Sequence, residues 1–303
     1  MNSIRNFSQL LDRLKESGSV KRIAVAQAED PHTLGALKRA TEEGFARPIL
    51  LGNPDTVNRL ALQAGLIPGS YEWIDAVDET HSVQLAVEMV RTGKADVLMK
   101  GLLNTDTFLK AVLNKEAGLM IPGAVMSYVC ALQIPSYPKL LFLTDTAVIP
   151  FPDLKQKLAM LDYALQMTSR FGINRPKVAL IGSSEKAGNY SQTAIDYSII
   201  CKMSERGQIR DCIVDGPLDI FLACDPESIP IKKVNTPVNG DADVLLFPSL
   251  EACNSFYKGL VRFAGAELAG LITGTVKPVV VMSRSESENS KFYCLALACL
   301  MAE

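Results

Sequence analysis

Short apolar runs rich in Val, Ile and Leu recur along the chain, bounded by Asp, Gly, Pro or Ser. They lie at residues 23–26, 48–51, 97–99, 140–143, 178–181, 212–214, 244–247 and 279–282. Most lack the in–out alternation of a half-exposed strand, so they predict strands covered on both faces. Between the runs the apolar spacing becomes helical. Leu154, Leu158, Leu161 and Leu165 share one face, as do Val83, Ala86, Val87 and Val90. Near the end Phe292, Leu295, Ala296, Cys299 and Leu300 align in the same way, and all three sets fit an amphipathic helix. Strand alternating with helix predicts an α/β protein with mostly parallel sheets.

The richest break is the 145–153 segment, where Pro150 and Pro152 precede the long helix that carries Leu154. It reads as a linker or the edge of a cleft. From it we expect a discontinuous first domain, 1–132 plus 271–303, and a second domain, 133–270, closing about a helix around 264–270.

Composition narrows the class. The chain has 303 residues, 48% of them hydrophobic and 21% charged, which is ordinary globular usage. Lys and Arg number 31 against 33 Asp and Glu, a net charge of −2, so no basic surface for nucleic acid is indicated. His32 and His81 are the only histidines and the seven cysteines form no C-x-x-C pair, which argues against a His-based or structural zinc site. An odd cysteine count, no secretory signal and no apolar run of ~18 residues predict reduced thiols in a soluble cytoplasmic protein.

Ligands of open parallel sheets gather at the carboxyl ends of strands. Those ends deliver Lys100-Gly101 with Asn104 or Thr105 as a helix cap, Thr144-Asp145-Thr146, Gly182-Ser183-Ser184, Asp215-Gly216-Pro217, Ser249 with Asn254, and Ser283-Arg284-Ser285-Glu286. Ser285 and Glu288 have capping-box spacing, so a helix is expected just after Arg284. Its free N–H groups and the Arg284 guanidinium suit an anion. Arg284 serves equally as an ion-pair partner, Lys100 as a solvated lysine, and Asp145 and Asp215 as turn formers. The dinucleotide, P-loop and nucleophile-elbow glycine signatures are absent, which leaves an anionic, phosphorylated substrate as the natural inference.

At these same loops the sequence resembles the phosphate acetyl/butyryltransferase family, most closely its phosphate butyryltransferase branch. The matching stretches include 95–101 (ADVLMKG) with Thr105 and 108–113, then 141–145 (LFLTD), 152–157 and 202–209. They continue through 214–218 (VDGPL), 240–243, Tyr257-Lys258, 263–266, and Ser283-Arg284-Ser285-Glu286-Ser287 with Lys291. The resemblance covers roughly residues 20–303.

It implies reversible transfer of a short acyl group, butyryl or similar, between coenzyme A and inorganic phosphate. It also implies two α/β domains similar to the isocitrate and isopropylmalate dehydrogenases, with the active site in the cleft between them. No metal or nicotinamide cofactor is implied; coenzyme A is a substrate, and a homodimer is the expected assembly. Arg284 and Ser283 are the implied catalytic residues, with Lys100, Gly101, Thr105, Asp145 and Asn254 binding substrate or phosphate. Three departures stand out. Acetyl-specific relatives carry a basic aspartate where this chain has Ser290, so no base is assigned; Glu286 fits that role or a first-turn acid. A family Gly-Asn pair is Cys253-Asn254, and an Asn-x-x-Pro loop is replaced by Val148, Ile149 and Pro150. An acyl-CoA-binding relative without catalysis, and a dehydrogenase on the same fold, remain open.

Overall fold

A computed structural model describes residues 3–282 and 286–302. The chain divides into two compact units. The first, Phe7–Met126 with Leu268–Glu303, begins with α1 (Phe7–Ser17), β1 (Lys21–Ala26), α2 (Pro31–Glu42), β2 (Ala46–Gly52), α3 (Pro54–Gln63) and β3 (Glu72–Asp75). It continues with α4 (Glu79–Arg91), β4 (Val97–Lys100) and α5 (Thr105–Val112). The second unit, Ser127–Glu267 with the segment ending at Asn6, holds β5 (Ser127–Gln133), β6 (Leu141–Thr144), α6 (Leu154–Arg170), β7 (Lys177–Ile181) and α7 (Gln192–Glu205). It is completed by β8 (Ile213–Leu218), α8 (Ile220–Cys224), α9 (Ser228–Lys232), β9 (Val244–Leu246) and α10 (Leu250–Ala264). The chain then returns through β10 (Glu267–Thr273), β11 (Val279–Val280) and α11 (Glu288–Met301).

In the first unit the strands run β3-β2-β1-β4-β11-β10; all neighbours are parallel except β10 against β11. In the second they run β5-β6-β9-β7-β8, with only β5 antiparallel, against β6. This is a mixed α/β fold with mostly parallel pairing. β4 and β6 are buried at every position, as strands covered on both faces must be.

Most helices start where a short polar side chain satisfies a free N–H. Asp30, Asn53, Asp78, Asn104, Asp153, Ser191, Asp219, Ser249 and Ser287 each accept from the first turn of the helix that follows, worth about 1 kcal/mol apiece. α11 is buried from Ser290 through Leu300 except at Tyr293, so it is a core helix rather than one with a single apolar face.

The structure departs from the patterning at several points. No helix spans 264–270: Gly265 ends α10 in the left-handed region at φ 65°, and β10 follows. β8 does not stop before Asp215-Gly216-Pro217 but runs through it; a Cβ on Gly216 would sit 2.5 Å from the Leu180 Cβ, so only glycine fits. β11 is shorter than 279–282. The units break at Met126/Ser127 and Glu267/Leu268, a few residues from the expected 132/133 and 270/271, and β5 pairs with β6 at residues 129–132. Among the described residues no helix is long and apolar enough to cross a membrane.

Candidate active site

In the first unit the carboxyl ends of β1 and β4 are tied together. Ala26 pairs with Lys100 in register, the Gly101 N–H donates to the Ala26 carbonyl at 2.8 Å, and the Leu102 N–H to the Gln27 carbonyl at 2.7 Å. A Cβ on Gly101 would lie 2.2 Å from that Gln27 oxygen. Glycine is therefore what lets the two strand ends meet. Lys100 is buried, with Nζ 3.4 Å from the Gly101 carbonyl oxygen, which brings an ammonium to the sheet edge where ligands of such folds collect. Asn104, not Thr105, caps α5, its Oδ1 accepting from the Asp106 N–H at 2.8 Å. Thr105 is the exposed first residue of the helix.

The start of α11 lies in the same unit. Ser287, not Ser285, is its cap, accepting from the Ser290 N–H at 3.1 Å. The helix thus begins later than expected, Glu288 takes the first-turn acid position, and Glu286 precedes the cap. Ser283 and Arg284 lie outside the described residues, as does Ser285. Ser290 is buried and its hydroxyl accepts from Ser287 Oγ at 3.1 Å. One turn in, the buried Lys291 ammonium pairs with Asp30, which also caps α2. Burial alone would raise the Asp30 carboxyl, but hydrogen bonds from Lys291 and Thr33 hold it below its ordinary value.

In the second unit Asp145 and Asn254 come together through Thr146. Asp145 is 2% exposed. One oxygen accepts from Ser127 Oγ at 2.8 Å and the Tyr128 N–H at 3.0 Å; the other accepts from the Ala147 and Val148 N–H groups, both at 2.8 Å. Burial pushes its carboxyl up, against the pull of those donors. Asn254 Nδ2 donates to the Thr146 carbonyl at 2.9 Å. Nearby, Lys157 Nζ bonds Asp196 and the Pro152 carbonyl, both at 2.7 Å. That buried pair is structural, and losing one partner would cost about 3–5 kcal/mol. The Gly182 N–H is spent on the Leu218 carbonyl, so it is not free to join an anion nest.

All seven cysteines are free. Burial raises the thiols of Cys201, Cys224 and Cys294 to about 12, and burial with Cys130 and Asp145 nearby raises that of Cys253 well above its ordinary value. These four are not poised as thiolate nucleophiles.

A groove of about 620 Å³ separates α4 from α5. Val83, Val87 and Ala111 line it with Gln84, Thr107 and Asn114, and two cations, Arg91 and Lys110, face a single acid, Glu88. From Thr80 to Arg91 it follows α4 for about 16 Å at 1.5 Å per residue. No motif had marked Arg91, which reads in sequence as an ordinary helix-terminal cation.

The family model described as phosphate acetyl/butaryl transferase matches residues 77–299. A phosphate butyryltransferase from Clostridium beijerinckii is 41% identical, covering 98% of each chain. A phosphate acetyltransferase from Thermotoga maritima is 36% identical, covering 96% of this chain and 99% of its own. The crystal structure of a branched-chain phosphotransacylase from Enterococcus faecalis matches with a TM-score of 0.84 at 28% identity, over 93% of this chain and 99% of that one. With the family's pattern met over most of its length, this chain belongs to the phosphate acetyl/butaryl transferases.

Proposed function

We propose that this chain is an acyltransferase that moves a short acyl group, butyryl or similar, reversibly between coenzyme A and inorganic phosphate. The observation that carries the reading is 41% identity to a phosphate butyryltransferase along 98% of both chains. A phosphate oxygen attacks the thioester carbonyl carbon, the C–S bond breaks, and coenzyme A leaves as thiolate and takes up a proton. Two anions meet and a tetrahedral oxyanion forms, so fixed cations and donors matter more than a protein nucleophile. That suits a chain whose buried thiols are held protonated.

We assign charge stabilisation to Arg284 with the Ser283 hydroxyl, and substrate or phosphate binding to Lys100, Gly101, Thr105 and the Asn254 carboxamide. Asp145 acts on the loop that follows it. The α4–α5 groove suits the coenzyme A arm: apolar side chains and amides match the pantetheine chain, and Arg91 and Lys110 match its phosphates. No metal or nicotinamide enters this scheme. We also propose that the chain has the isocitrate and isopropylmalate dehydrogenase type of fold, a reading supported by a chain that leaves the first unit at Met126 and rejoins it at Leu268.

The test is phosphate-dependent release of free thiol from butyryl-CoA, with chelator present and no nicotinamide. Turnover under those conditions is expected. Tight binding of butyryl-CoA without thiol release, or activity abolished by the chelator, would overturn the assignment.

A further inference from the structure

We propose that Asp145 is a positioning residue for acyl transfer, acting through the Thr146 carbonyl on the Asn254 carboxamide. The proposal rests on the acyltransferase reading above. A carboxylate offers about four acceptor sites. The Ser127 hydroxyl and the Tyr128, Ala147 and Val148 N–H groups fill all of them at 2.8–3.0 Å. Nothing remains for a substrate donor, so Asp145 acts indirectly.

What it holds is the chain just after β6. Two of the four bonds fix the amides of Ala147 and Val148, which sets the direction of the buried Thr146 carbonyl. That oxygen receives Asn254 Nδ2 at 2.9 Å. The bond fixes which way the amide faces, because the flipped amide would place oxygen against oxygen. One N–H and the carboxamide oxygen of Asn254 are left to face a ligand. The same frame is tied to α10 from the other side, where the Leu250 N–H donates to the Pro150 carbonyl at 3.0 Å. Asn254 therefore inherits its orientation from Asp145.

A double-mutant cycle on kcat, with melting temperature read in parallel, tests this. Asp145→Asn puts an NH2 where an acceptor stood. Ser127 can rotate to accept from it, but the bond from the Tyr128 N–H is lost. We expect Asp145→Asn to lower kcat by about tenfold or more in the parent protein and by less than about threefold on top of Asn254→Ala. The drop in melting temperature should be the same in both backgrounds. If Asp145→Asn does not fold, Ser127→Ala removes one donor and keeps the carboxylate; its smaller loss of kcat should likewise vanish in the Asn254→Ala background. Equal fold-losses in both backgrounds would overturn the proposal alone. Absence of thiol release by the unsubstituted protein would overturn the acyltransferase reading, and this proposal with it.

Discussion

Lys100 and Asp145 are both buried at the carboxyl ends of strands, yet their neighbours treat them differently. Asp145 accepts from four donors, which favours the loop-positioning role proposed above over direct contact with substrate. Lys100 is buried with its ammonium 3.4 Å from the Gly101 carbonyl oxygen, a placement set by the strand end rather than by a turn. The turn-forming alternative for Asp145 was legible in the sequence, since Asp readily accepts from amides two and three residues on. Its link to Asn254 was not, because 108 residues separate Asn254 from Thr146. Arg284 carries the sharpest residue-scale prediction. In sequence it falls between β11 and Ser287, the cap of α11. Removing one preorganised oxyanion donor costs roughly 10²–10³ in turnover, so Arg284→Ala should lose at least that in thiol release. Arg284→Lys should recover only part, since an ammonium cannot grip two oxygens in one plane. Normal turnover with a lowered melting temperature would instead make Arg284 a structural ion-pair partner.

Among elements, the apolar runs located most strands and the helical spacing located α4, α6 and α11. The misses have physical causes. β3 is a largely exposed edge strand carrying Glu72, Trp73 and Asp75, so no apolar run announces it. β10 contains Ala269 and Gly270 next to a helix end, although Gly265 was a stop signal in plain view. The start of α11 was misplaced because two serines, Ser285 and Ser287, both precede acids, and only packing decides which one caps. The α4–α5 groove was invisible for a related reason. Val83 and Val87 read simply as core positions, and nothing in one helix says that its neighbour will leave a channel beside them. If that groove seats coenzyme A, Arg91→Ala should raise KM for butyryl-CoA about tenfold, near the ~1.5 kcal/mol of a charge-assisted bond. KM for phosphate should stay unchanged, and an equal rise in both constants would exclude the groove as the coenzyme A seat.

At the scale of the molecule, both units rely on carboxylates that clamp loops and helix starts. Asp30 and Asp96 do so in the first unit, the latter gripped by Arg22; Asp219 and Asp241 do so in the second, with Lys232 for the one and Lys139 and Lys177 for the other. In each case burial would raise the carboxyl, but its cationic partner and other donors outweigh that and hold it below the ordinary value of 3.8. A depressed folded-state value means stabilisation that is whole above 3.8 and lost as pH falls through the folded value. Asp145, raised by burial, works in the opposite sense. The melting temperature should therefore hold between about pH 7 and 5 and fall steeply below about pH 4. Asp30→Asn should lower it at pH 7 by removing the partner of the buried Lys291, and should shrink its acid dependence, since one of the titrating clamps is gone. A melting temperature that rises on acidification would show that raised carboxyls such as Asp145, rather than these clamps, govern the acid response.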